Sequence, residues 1–276
     1  MVSVVSDLAF DAKGVAAEFV KARRSAGHFT KYPGALPPDL DAAYRCQDEA
    51  ISLWNDTIAG WKVGWIPEPL SQKYGVNRLV GPIFNRSVRR SNGNETLDVP
   101  VFAQGFAAIE AEFVVQLSRD APANVAEWTT ETARRFVKTM YIGIEIASSP
   151  LQNINDYGSA VVVSDFGNNA GLVLGVEIPD WQSRAPETLN CEARIEGTTV
   201  GRGTAAAVNG GPLAALAFAL RCNARRGRPL KAGDYVSTGA ATGVHSIAAG
   251  QSAEAIFTGV GSLRCRTIPM TPVASG

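Results

Sequence analysis

From about Gly60 onward the sequence breaks into short apolar runs separated by Gly, Pro and Asn: GWKVGW, RLVGPIF, TLDVPVF and AEFVVQL follow in close succession. Runs of this length, bounded by turn-forming residues, are strands. The texture returns near the end, in AGDYVSTGAATGV and SAEAIFTGVGSLRCRT. The chain is therefore confined to a β-rich body on which any helices must be laid. Residues before Gly60 read differently. FDAKGVAAEFVKARRSAG places Val15, Phe19 and Val20 at helical spacing, a basic cluster Lys21–Arg24 in the last turns, and Gly27 as a stop. After the loop YPGALPP, Leu40, Ala43, Tyr44, Ala50, Ile51 and Trp54 recur with helical period, and Asp39 is placed to cap the segment. Two further helices are predicted, over Trp128–Met140 and over Pro212–Arg226, the latter with Gly227 just beyond its end. The expected class is α+β: a helical N-terminal region, 1–60, and a β-rich domain, 61–276, with a few covering helices.

With 276 residues, 46% of them hydrophobic, the chain can bury a large core. Lys+Arg and Asp+Glu are both 26, so no net charge points to nucleic acid or an anionic membrane surface as a partner. Weak self-repulsion makes a homo-oligomer the expected state. The longest strongly apolar runs, such as Ala214–Leu220 and Ala160–Val163, fall short of the ~20 residues that span a bilayer. The opening MVSVVSDLAFDAKG lacks the basic segment and long apolar stretch of a secretory leader. Cys46, Cys191, Cys222 and Cys265 show no CxxC spacing, so neither structural zinc nor a disulfide framework is expected. Reduced thiols in a cytoplasmic protein account for them.

One strand carries an anomaly. In IEAEFVV, residues 109–115, alternation sends Ile109, Ala111, Phe113 and Val115 to one face and Glu110, Glu112 and Val114 to the other. The two glutamates lie about 7 Å apart at their Cα atoms on the same side. Burying bare carboxylates costs several kcal/mol each, so they either face water or share a cation. A third acid, Glu145, stands alone among Ile142, Ile144 and Ile146 in YIGIEIASS. Three carboxylates on rigid strands suit a hard divalent cation, which takes oxygen ligands and keeps waters for a substrate to displace. A solvated glutamate face on an edge strand is the alternative.

Several segments occur together in order: GWKVG (60–64), LVGPIF (79–84), IEAEF (109–113), IEI (144–146), SDFGNNAGLVLG (164–175), GPLAALAFA (211–219), LKAGDYVSTGAATGV (230–244) and FTGVGSL (257–263). This ordered set resembles the 2-keto-4-pentenoate hydratase and 4-oxalocrotonate decarboxylase branch of the fumarylacetoacetate hydrolase superfamily, from about Tyr44 to Leu263. The resemblance implies a mixed β-sandwich or roll and a Mg²⁺ (or Mn²⁺) ion on Glu110, Glu112 and Glu145. That ion would chelate a small-molecule 2-oxo acid and stabilise enolate charge as a Lewis acid. It further implies Lys62 as an active-site lysine, Asp165 as a nearby catalytic acid, and the Thr238–Gly243 turn as a substrate-carboxylate site, through Thr238, Gly239 and Thr242. Ser148 and His245 are added as candidate substrate contacts, and a structural histidine is the other reading of His245. His28, in AGHFTKYP, reads as a loop residue.

Two departures from the family pattern bear on the reaction. Where vinylpyruvate hydratases carry an acid after the lysine strand, this chain reads NRLVGPIF, with Leu79 or a neighbour in that place. The segment after Glu145 reads IASSPL, where an Asp and an Arg are usual. The expected activity is a hydratase of the 2-keto-4-pentenoate type in aromatic catabolism. The alternatives are a 4-oxalocrotonate-like decarboxylase or a C–C hydrolase or retro-aldolase on the same chelate, and a non-catalytic partner subunit. A substrate with a second carboxylate would need a cation such as Arg78 or Arg86 in the pocket.

Overall fold

A computed structural model of the chain describes residues 9–125 and 127–273; the stretch read above for a leader lies outside the described residues up to position 8. Two helices open the chain, α1 (Ala12–Ser25) and α2 (Leu40–Leu53). They are followed by β1 (Ile58–Trp65), α3 (Leu70–Tyr74), β2 (Arg78–Phe84), β3 (Val88–Arg90), β4 (Thr96–Val101) and β5 (Phe106–Leu117). Next come α4 (Thr130–Arg134), β6 (Val137–Ser149), α5 (Ser159–Ser164), β7 (Asn169–Glu177), β8 (Asn190–Ile195) and β9 (Thr198–Thr204). The chain closes with α6 (Gly211–Arg225), β10 (Tyr235–Ala240), β11 (His245–Ser246), β12 (Ser252–Phe257) and β13 (Gly261–Pro269).

The strands form two sheets. The larger has eight, ordered β2-β1-β10-β5-β6-β7-β3 with β11 paired to β5; the smaller runs β4-β13-β12-β8-β9. They pack face to face, with Phe113 edge-on to Phe257 at 5.4 Å between ring centroids. The shared core takes Ile109, Ala111, Phe113 and Val115 from β5 and Ile142, Ile144 and Ile146 from β6. The opposite face of the large sheet is also covered. Val15, Phe19 and Val20 of α1, Ala43 and Ala50 of α2, and Val161–Val163 of α5 cluster there with Leu79 and Phe84 of β2 and with Phe166. β5 and β6 are thus buried on both faces, which is why their sequences read as nearly unbroken apolar runs. Among the described residues no helix is long and apolar enough to cross a membrane. All four cysteines are free.

Local signals account for the helix ends. The Asp39 carboxylate accepts the Ala42 N–H at 2.7 Å, a cap of about 1 kcal/mol. Ala26 takes a left-handed conformation after α1, and the Gly27 N–H reaches back to the Ala22 carbonyl. The predicted helix over Trp128–Met140 does not form. Only α4 is helical, and the chain enters β6 at Val137, pairing Val137 with Leu117, Thr139 with Gln116 and Met140 with Val115. The β-branched Val137 and Thr139 fit that pleated, half-buried surface, and the long ladder with β5 outweighs a weak helical period.

Candidate metal centre

The site is assembled by neighbouring strands of the large sheet. Read across β1, β10, β5, β6 and β7, the contributing residues are Lys62, then Ser237 and Gly239, then Glu110 and Glu112, then Glu145, then Asn169. Glu110 sits directly opposite Glu145 in the antiparallel β5–β6 ladder. One carboxylate oxygen from each of Glu110, Glu112 and Glu145 lies within 4.8 Å of the other two, and all three residues are buried. The solvated edge is therefore not what the glutamates occupy: they converge inside the molecule.

Their charge is only partly offset. Lys62 Nζ lies 3.2 Å from Glu145 Oε2 and donates to Asn168 Oδ1 at 3.3 Å. Asn169 Nδ2 donates to Glu145 Oε1 at 2.9 Å. Glu112 Oε2 accepts from the Ser237 hydroxyl at 2.5 Å and from the Gly239 N–H at 2.9 Å. The second contact depends on a register shift in β10 between Ser237 and Ala240, with Gly239 at φ +114°. Such a bulge re-aims a backbone N–H, and glycine adopts the conformation without steric cost. Glu112 Oε1 is buried with no hydrogen-bond partner, and Glu145 Oε2 makes no hydrogen bond.

Burial, and then the neighbouring carboxylates, push Glu110 up to about 7 and Glu112 well above the ordinary range. Burial works against the Lys62 ammonium, but Glu145, Glu110 and Glu112 together outweigh it and hold the group protonated. Three acids against one lysine cannot all ionise without a further cation, and Glu112 Oε1 is left without a partner. The all-oxygen donor set fits a hard dication such as Mg²⁺ or Mn²⁺.

A cavity of about 630 Å³ opens beside this centre, with Lys62, Glu110, Asn168, Thr238 and Gly239 on its wall together with apolar Leu70, Leu79, Val162 and Val208. Glu110 is the one carboxylate in that lining among the described residues. Close packing of the 166–169 turn on β2 lets Asn168 reach Lys62. A Cβ on Gly81 would sit 2.1 Å from the Phe166 carbonyl oxygen, so only glycine fits there.

Several predicted contacts are diverted. Asp165 does not line the cavity. Its carboxylate is taken by Arg23 of α1, with Nε to Oδ1 at 2.5 Å and Nη2 to Oδ2 at 2.9 Å. Arg23 also donates to the carbonyls of Asn169 at 3.0 Å and Ser148 at 3.2 Å. The expected catalytic acid is thus committed to a buried ion pair that anchors the turn carrying Asn168 and Asn169. Ser148 is likewise occupied, accepting from the Phe102 N–H and donating to the Phe106 carbonyl. Thr238 lines the cavity, but its hydroxyl donates to the Phe113 carbonyl at 2.7 Å. Thr242 and His245 bond each other at 3.2 Å and lie outside the lining, although Gly243 and Val244 between them are part of it. His245 packs against β9, where a Cβ on Gly201 would meet its ring at 2.6 Å, and this favours the structural histidine. His28 is exposed.

Arg23 and Ser237 were missed in the sequence. Arg23 has a signal: it follows Phe19 by four and Val20 by three, so it belongs to the buried stripe of α1 rather than to a solvated helix end. Ser237 has none, because its partner is 125 residues away.

TodF product hydratase of Pseudomonas putida (strain F1) is 27% identical over 231 residues, covering 82% of this chain and 83% of that protein. A 4-oxalocrotonate decarboxylase of a Pseudomonas species is 27% identical over 212 residues, covering 75% and 78%. In three dimensions, 4-oxalocrotonate decarboxylase from Pseudomonas putida G7, complexed with magnesium and adipate, superposes with a TM-score of 0.78 at 21% identity, over 93% of this chain and 97% of that one. The sequence model described as fumarylacetoacetate (FAA) hydrolase C-terminal matches residues 77–268, a span running from the foot of β2 through nearly all of β13. That span holds all three buried glutamates, and the chain belongs to the fumarylacetoacetate hydrolase family.

Proposed function

We propose that this chain is a divalent-metal-dependent lyase acting on a 2-oxo or 2-hydroxydienoate acid of aromatic catabolism, as a hydratase of the 2-keto-4-pentenoate type. The observation that carries the reading is the buried trio Glu110, Glu112 and Glu145 beside a protonated lysine in the wall of a cavity. Hydratases and decarboxylases among its relatives support the class of reaction.

Glu110, Glu112 and Glu145 would hold Mg²⁺ or Mn²⁺. When bound, the ion supplies Lewis acidity toward the carboxylate and keto oxygens of a 2-oxo acid. The protein's own residues do the rest. Lys62, fixed between Glu145 and Asn168, presents an ammonium to the cavity, where it donates to enolate oxygen or carries a proton to carbon. Asn169 and Ser237 hold the carboxylates of Glu145 and Glu112 in orientation, as outer partners of a metal site do. The apolar wall, with Leu70, Leu79, Val162 and Val208, takes up the carbon chain of the substrate. We further infer a cytoplasmic homo-oligomer. Four free thiols suit a reducing compartment. Exposed Trp65 and Val244 beside the cavity offer apolar surface to a second copy.

Leu79 favours a second reading. It is 2% exposed and lines the cavity, in the segment where the family resemblance implies the acid that protonates carbon in a hydratase. Decarboxylation on the same chelate needs no such acid. The test is the loss of dienoate absorbance with 2-hydroxypenta-2,4-dienoate and with 2-hydroxymuconate, in Mg²⁺, in EDTA and in Glu110→Gln. Turnover of the monoacid that needs metal and Glu110 is the expected result. CO₂ release from the diacid alone assigns the decarboxylase, and silence on both removes the proposal.

A further inference from the structure

The cavity is larger than the smallest acids of the proposed class require. 2-Hydroxypenta-2,4-dienoate has eight non-hydrogen atoms, and at about 30 Å³ each, the share of one water in the liquid, it takes up roughly 240 Å³. The cavity holds about 630 Å³. At the same share the remainder has room for about a dozen further non-hydrogen atoms.

The wall around that remainder is apolar. Val208 stands beside the chelating residues, where a Cβ on Gly239 would come within 3.9 Å of its Cγ1. Leu79 pairs with Gly64 in the β1–β2 ladder, two residues along from Lys62, about 7 Å. Gly64 leaves the space between them open, since a Cβ there would lie 3.1 Å from Leu79 Cδ1 and 3.7 Å from Lys62 Nζ. Leu70 of α3 and Val162 of α5 continue the wall. Leu79, Val162 and Val208 are 2%, 8% and 7% exposed, so they are shut off from bulk water and yet face the cavity. The charged residues of the lining lie elsewhere. Lys62 and Glu110 belong to the metal centre. Arg78 is turned onto the exposed Trp65 ring, 5.6 Å from its centroid, and donates to the Asn209 carbonyl and to Asn77 Oδ1. A ligand gains about fourfold in affinity for each methylene it buries against such a surface.

We propose that the substrate is a monoacid carrying an alkyl or aryl substituent at the end remote from its carboxylate, and that Leu70, Leu79 and Val162 receive this tail. The proposal rests on the chelate reading above and adds the chemistry of the substrate's far end.

The test is calorimetric binding of 2-oxopentanoate and 2-oxooctanoate to the Mg²⁺-loaded protein, each repeated in EDTA. These acids share the chelating end and differ by three methylenes. The longer acid is expected to bind at least about 10-fold more tightly. Leu70→Ser should cut that ratio to about threefold or less, whereas Leu70→Met, which stays apolar and of similar volume, keeps it. Val162→Thr repeats the measurement should Leu70→Ser not fold. Equal, EDTA-sensitive affinities in the wild type overturn the proposal and leave the chelate standing, as does an advantage undiminished in the polar variants. Binding that is indifferent to EDTA, or no binding of either acid, overturns the chelate reading and the proposal with it.

Discussion

Two buried charge clusters lie on either side of the 165–169 turn, and they are built on opposite principles. Around Arg23, one guanidinium meets one carboxylate and several carbonyls, so charge and hydrogen bonds close within the protein. Around Lys62, three carboxylates face one ammonium, and Glu112 keeps an oxygen with no partner. The first cluster is complete and serves as structure. The second is complete only with an external cation, which is what a binding site requires of the fold that houses it. Burial alone does not separate the two, since the charged residues of both are buried. Charge balance does.

The comparison can be broken most directly at its unbalanced side. Glu112→Gln should weaken Mg²⁺ or Mn²⁺ binding by more than about 100-fold, because even removing an outer partner of a metal ligand costs 10–100-fold. The same change should raise the urea midpoint of the metal-free protein at alkaline pH, where the buried carboxyl is forced to ionise, since it deletes a repelling charge. Calorimetry and urea titration in EDTA read the two effects. A metal-free variant less stable than the wild type would remove the distinction drawn here.

On the balanced side the sign reverses. Arg23→Met leaves Asp165 buried without its partner and should cost about 3–5 kcal/mol. Arg23→Met with Asp165→Leu should recover much of that stability. Metal affinity should fall in the single variant through the loosened Asn168–Asn169 turn. A single variant of unchanged stability would show that the pair does not anchor the fold.

The smallest effect is the pH dependence of the metal-free protein. Glu110 is pushed from its ordinary 4.5 up to about 7 by burial and by Glu145. A carboxyl raised in this way contributes stability that is fully present below 4.5 and is lost as the pH climbs toward 7. Metal-free protein should therefore melt at progressively lower temperature between those values. Saturating Mg²⁺ should flatten the slope and add about 2.7 kcal/mol at 100 times Kd. A flat profile in EDTA would mean that the carboxylates are already balanced without metal.

Much of this was legible before any coordinates. Glu110 and Glu112 share a face because strand side chains alternate, and a lone Glu145 among isoleucines signals the same anomaly. Lys62 between Trp61 and Val63 is anomalous in the same way. The helix ends at Asp39 and Gly27 follow from local chemistry. The segment 128–140 has only a weak helical spacing, and pairing with β5, a contact across 20 residues and more, overrides it. The family resemblance implies a catalytic task for Asp165, with a structural turn as the other reading, and nothing local in the sequence shows that Arg23 of α1 takes its carboxylate.

The sequence alone determined that acids would stand in buried strands, because the cost of burying charge is a property of each residue and its immediate neighbours. It could not determine what compensates that cost. Which strands lie side by side, that Lys62 of β1 meets Glu145 of β6, and that Arg23 takes Asp165 are all products of long-range packing. A charge announces locally that it needs a partner, and only the tertiary structure decides whether the partner is another residue or something that must come from outside.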